Sequence, residues 1–128
     1  MSSQPTPQII LSHFNWSLAR LKEAIENEST EYYRGTALHR FSLTYDVALE
    51  TIRAFAREQG QVCSTEEDCF QWVKEKQWLE KKVDCNFIKA DYQRIQERLK
   101  AKEAEKIYDE LQTYYMLLNH LNECMKLA

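Results

Sequence analysis

Apolar residues recur at helical spacing almost from end to end of this chain. Ile10, Phe14, Leu18, Leu21 and Ile25 follow at steps of four and three, which stacks them on one face of a helix from about Gln8 to Asn27. "ENEST" (26–30) closes it. A second stripe, Leu38, Phe41, Tyr45, Ala48, Ile52 and Phe55, belongs to a long helix from about Glu31 to Gln59 that stops at Gly60. Gly35 either kinks that helix or marks a later start. "CSTEED" (63–68) is a capping signature: Ser64 or Thr65 offers an acceptor to the free amides of a first turn, and the acids suit its positive end. It opens a short helix, about Thr65 to Lys76, with Phe70 and Val73 on one side. A fourth helix is expected from near Trp78. It carries two stripes, Leu79–Val83–Asn86–Ala90 and Cys85–Ile88–Tyr92–Ile95–Leu99, wide enough together to meet more than one neighbour. The last helix presents Ala104, Ile107, Leu111, Tyr115, Leu118, Leu121 and Met125. "QRIQERLKAKEAEK" (93–106), between these two, has no glycine, proline or good cap, so either one long bent helix or a tight turn near Lys100 is expected.

Composition narrows the fold class. Only two glycines and two prolines occur, and both prolines (Pro5, Pro7) lie at the N-terminus. Strand turns depend on those residues, so the expectation is an all-α chain: an antiparallel up-and-down bundle of four to five helices in one domain over residues 1–128, with 1–7 disordered. The formal net charge is −3 with the signs interspersed, which argues against a nucleic-acid binder with a basic face. No signal peptide and no apolar run of the length that spans a bilayer is visible, and a cytoplasmic chain is expected. The four cysteines (Cys63, Cys69, Cys85, Cys124) form no CxxC pair and no zinc pattern, and are expected to be reduced thiols.

Candidate chemistry is sparse. Of the three histidines, His13 and His39 lie far in sequence from any cysteine, and no pairing of His13, His39 or His120 with a nucleophile is expected. The carboxylates are scattered over polar faces, and no glycine loop offers to cradle a phosphate. No cofactor or metal is expected to be bound by this chain alone. "EYYR" (31–34) and "TYY" (113–115) set tyrosines side by side, so one of each pair must leave the core face. Tyr32, Tyr33, Arg40 and Tyr45 are the expected partner or dimer surface.

Three blocks carry a family resemblance. "LHRFSLTYDVALETIRAFAREQG" (38–60) resembles the second-helix signature of the nucleotidyltransferase substrate-binding proteins, HepT-like members of the HEPN superfamily of helical bundles. "WLEKKVDCNFIKADY" (78–92) resembles a family block that reads roughly W-L-x-x-x-x-D-R-N-x-x-x-H-x-Y. "AEKIYDELQTYYMLLNHL" (104–121) is similar to the closing helix. In the second block Trp78, Leu79, Asp84, Asn86 and Tyr92 keep family identities, whereas Cys85 stands for the family arginine and Ala90 for its histidine. In HEPN ribonucleases that arginine and histidine form a metal-free RNA-cleaving site. Cysteine is no cation and alanine moves no proton, so the resemblance implies a degenerate motif (Asp84, Cys85, Asn86, Ala90, Tyr92) and no catalysis. Both replacements are small and fall on the expected buried stripes, where they would pack without stranding a charge. Asp84 is then free to pair with Arg40 or Arg34. Tyr92 and Tyr108 stand about seven residues further apart than in the family pattern, about two helical turns, which would lengthen the last hairpin into a charged arm.

What the resemblance implies is an accessory subunit, a homodimer paired with a separate minimal nucleotidyltransferase in a toxin–antitoxin-like module. ATP or another nucleotide, with Mg, would enter through that partner. Tyr92 occupies the position at which HepT-type members are adenylylated; the competing reading is a core tyrosine on the Cys85–Ile88–Tyr92 stripe. Two alternatives stand beside it: a ribonuclease toxin with His39 or His120 in a repositioned site, and a stand-alone helical interaction module.

Overall fold

Side-chain caps start four of the five helices that the described residues form. The structure is a computed structural model and describes residues 6–27 and 30–128. α1 (Pro7–Glu26) begins where Thr6 accepts from the Ile9 amide, with proline in its first turn. α2 (Glu31–Glu58) begins at Thr30, which accepts from the Tyr33 amide, and ends at Gly60, whose φ of 75° favours glycine. α3 (Glu66–Glu75) is capped by Thr65, which accepts from Asp68, with Glu66, Glu67 and Asp68 in its first turn. α4 (Cys85–Gln96) is capped by Asp84, and α5 (Ala101–Lys126) starts after Lys100 without a side-chain cap. The chain is all-helical, as expected. The segment expected to be frayed falls mainly on residues 1–5, outside the described residues, but Pro7 already belongs to α1. In the expected break after α1, residues 28 and 29 are outside them too.

Paired residues give the directions. Ser17 meets Thr44 (2.7 Å between hydroxyls) and Arg40 donates to the Arg20 carbonyl (2.9 Å), so α1 and α2 run antiparallel. Tyr92 meets Asp46 and Gln96 meets Ser42, so α4 is antiparallel to α2. Phe41 stacks on Tyr114 and Arg34 lies 3.9 Å from Glu105, so α5 runs parallel to α2. All five helices share one apolar cluster, with Phe14, Phe41, Ile52, Leu111 and Leu118 fully enclosed.

Several expectations change. α4 does not begin at Trp78. Gln77 takes a left-handed conformation (φ 65°), and the Trp78 amide bonds back to the Val73 carbonyl (2.9 Å), which closes α3 with a Schellman turn. Trp78 and Leu79 are still buried, but from a non-helical link, and Trp78 meets Trp72 and Phe55 edge to face. The stripe through Leu79 and Val83 therefore does not continue onto Asn86 and Ala90, which are exposed. The break before α5 lies at 97–100, near the expected Lys100, and Ile95, Leu99 and Ala104 around it rest against the core rather than forming a wholly solvated arm. On α5 it is Tyr114 that is buried, with Tyr115 half-buried. Finally, Cys63 and Cys69 are not separate thiols. The link that turns α2 into α3 brings their Cα atoms to 5.0 Å, and a disulfide joins them across the α3 cap.

Candidate functional site at the start of α4

The residues singled out in 84–92 occupy three different surroundings. Asp84 is a helix cap: its Oδ1 accepts from the Asn86 amide (2.9 Å), and no ion pair joins it to Arg40 or Arg34 among the described residues. Arg40 instead donates to a carbonyl of α1, and Arg34 lies near Glu105. A cap needs a short acceptor just before the first helical turn, and Asp84 stands at that position. Cys85, the first residue of α4, is buried, and that burial raises its thiol above the ordinary range; Lys74 opposes the shift and Asp84 adds to it. It is thus a protonated, poorly nucleophilic thiol. Asn86 is exposed. Ala90, expected on a buried stripe, is exposed as well, because five residues along a helix turn its side chain roughly 140° away from that of Cys85.

A small cavity of about 170 Å³ opens beside Cys85, with Asp84, Asn86, Lys74 and Lys89 in its wall. Both lysines are engaged. Lys74 Nζ donates to the Val83 carbonyl (2.6 Å), and Lys89 pairs with Glu67 and, at 3.9 Å, with Glu66. Their mutual contact raises Lys89 and lowers Glu67. None of the histidines lines this cavity, and His120 contacts Cys124 on its own helix (3.6 Å). Nothing here pairs an acid with a base around a reacting position.

Tyr92 is different. Its ring lies half-buried against Tyr45, with centroids 4.2 Å apart, and its hydroxyl donates to Asp46 on α2. Burial first, and then the Asp46 carboxylate, push this phenol up to about 12. Tyr45, by contrast, is 1% exposed and offers no partner surface, contrary to the sequence expectation. It lies among Phe41, Phe70 and Tyr92 because the α2 stripe points inward at that position. Its hydroxyl has no hydrogen-bond partner among the described residues, and burial followed by the charge of Glu66 pushes it above the ordinary tyrosine range. Tyr32 is 75% exposed and meets half-buried Tyr33 edge to face.

Asp46 leads outward to a site that sequence reasoning missed. With Trp16, Leu43, Val47, Glu50 and His13 it lines a groove of about 650 Å³ between α1 and α2. A neighbouring hollow of about 180 Å³ adds His39, Arg20 and Arg40. Trp16 is 66% exposed, with the Arg20 guanidinium 5.8 Å from its ring centroid, and Leu43 is 48% exposed. A signal was available: Trp16 lies off the Phe14–Leu18–Leu21 stripe and Leu43 lies off the Phe41–Tyr45 stripe. Among the described residues no helix is long and apolar enough to cross a membrane. No three His, Cys, Asp or Glu side chains are grouped to hold a metal ion among them. No family model matches the chain, and no curated protein matches it.

Proposed function

We propose that this chain is a non-catalytic accessory subunit, itself dimeric, of a separate minimal nucleotidyltransferase, with Tyr92 as the acceptor of a nucleotidyl group. The resemblance of residues 38–60 and 78–92 motivates the reading. The observation that carries it is the Tyr92 hydroxyl donating to Asp46, a carboxylate on the rim of the open α1–α2 groove. A phenol pushed up to about 12 is neutral at pH 7, so its oxygen needs a base at the moment of attack. Asp46 is already in place to take that proton. In the step, the Tyr92 oxygen bonds to the α-phosphorus of a nucleoside triphosphate, pyrophosphate leaves, and the proton passes to Asp46. The partner supplies the nucleotide and its divalent metal; this chain supplies the acceptor, the base and the groove with Trp16 and Leu43 as a docking surface.

The test is intact mass after incubation with the candidate nucleotidyltransferase, ATP and Mg. One nucleoside monophosphate should be added, none to Tyr92→Phe, and Asp46→Asn should slow the addition about 100-fold, the usual scale for losing a general base. An unmodified chain beside a partner that turns over other substrates, or full modification of Tyr92→Phe, ends the proposal.

A further inference from the structure

A second concavity lies between α4 and α5, apart from the Tyr92 hydroxyl. On the α4 side Asp84, Phe87, Ile88 and Asp91 face it, the spacing of a single helical face. On the α5 side Glu110, Thr113, Tyr114 and Leu117 face it at the same spacing. Helices that present matched stripes usually close on each other, ridge into groove. Here they meet at Asp91 and Tyr114, which are hydrogen-bonded, and leave beside that contact a cavity of about 410 Å³. Its floor is apolar, with Ile88 1% exposed, while the Phe87 ring at its lip is 70% exposed.

The charge of this groove is one-sided. Asp84, Asp91 and Glu110 line it and no Lys, Arg or His does. None of the three has an ion-pair partner among the described residues. One oxygen of Asp91 accepts from the Tyr114 hydroxyl and one of Asp84 caps α4, which leaves the second oxygen of each for another donor. The carboxylates are too spread to share one metal ion. Asp84 and Asp91 are one heptad apart, about 10 Å along the helix axis at 1.5 Å per residue. A complementary ligand must therefore be extended, apolar along its middle and cationic at heptad spacing.

We propose that the groove docks an amphipathic α-helix of a partner protein, its apolar stripe laid against Ile88 and Leu117 and its Lys or Arg residues set against Asp84, Asp91 and Glu110. Two antiparallel walls with matched i, i+3, i+4, i+7 faces leave the place of a third helix, and the charge selects a basic one. The site needs neither a nucleotide nor Tyr92, so it stands or falls separately from the accessory-subunit reading.

The probe is a fluorescein-labelled designed helix of about 18 residues, five turns, with Leu along one stripe and Lys at heptad spacing beside it. A sister peptide carries Glu for each Lys. Anisotropy titrations with the full chain should show saturable binding of the Lys peptide and binding at least about tenfold weaker for the Glu peptide. Glu110→Lys and Phe87→Ala, both at exposed positions, should each weaken the Lys peptide about tenfold. Leu43→Asp, in the α1–α2 groove, should leave it unchanged, and circular dichroism should show all three variants folded. Equal affinity for the two peptides overturns the proposal, as does no saturation by about 1 mM, the weak limit of specific binding. So does loss of binding on Leu43→Asp alone. Displacement of the peptide by a small organic amine at equal concentration would give the groove to a small cation instead. Self-association abolished by Glu110→Lys would give it to a second copy of this chain, and both results overturn the helix.

Discussion

Asp84 has the identity a catalytic motif would ask for and the position a helix start requires, and its hydrogen bond to the Asn86 amide settles which role it performs in the fold. Cys85 beside it is a buried thiol kept protonated, and Ala90 faces solvent on another side of the helix. The identities of Cys85 and Ala90 were legible in the sequence, but their surroundings were not, because a helix that begins seven residues later than its stripe suggests presents different faces. Tyr92 is the residue whose environment predicts a measurable consequence. Burial and Asp46 push it up to about 12, and Tyr45 and Tyr114 also lie above the ordinary tyrosine range. The fold therefore favours the neutral phenol over the phenolate. That contribution is fully present below the unfolded value of about 10 and is lost as the pH rises from there through about 12. The urea midpoint should fall between about pH 9 and 12, and Tyr92→Phe should flatten part of that fall. A Tyr92→Phe profile as steep as the parent's would show that this phenol carries no such linkage.

At the scale of elements, the caps at Thr65 and Gly60 could be read directly, since hydroxyl acceptors before a periodic run and a glycine after one are local chemistry. The end of α3 could not. It turns through Gln77, a residue with no preference for left-handed backbone, and is held by Trp78 packing on Trp72 and Phe55. That contact is tertiary, so no sequence rule for helix stops detects it. The left-handed conformation costs a side-chain-bearing residue about 1 kcal/mol. Gln77→Gly should accordingly raise the melting temperature by about 3–5 °C, and Gln77→Val, branched at Cβ, should lower it. Differential scanning calorimetry of the two variants decides it; a lower melting temperature for glycine would mean that the Gln77 side chain makes a compensating contact.

Across the whole molecule, the α1–α2 pair is tied by polar links as well as apolar ones. Ser17 and Thr44 bond inside the interface, and Arg40 reaches over to the Arg20 carbonyl. α3 is attached more locally, by its buried face and by the Cys63–Cys69 disulfide across its cap. Closing a loop of this size removes about 2 kcal/mol of unfolded-state entropy. Reduction, or Cys63→Ser, should lower the unfolding free energy by about that amount, read from urea titrations with and without reductant. No change would mean that the α3 packing alone sets its stability.

The sequence alone determined the helical class, the inward stripes of α1, α2 and most of α5, and the identities Cys85 and Ala90 within 84–92. Those follow from periodicity and residue identity, which act within a few residues along the chain. Tertiary structure alone decided that Tyr92 reaches Asp46 across 46 positions, that Trp78 closes α3 against Trp72 and Phe55, and that α4 and α5 frame an anionic groove beside the Tyr114–Asp91 contact. Each of those depends on which helix faces meet, and that is settled by the packing of distant segments rather than by the local pattern of any one of them.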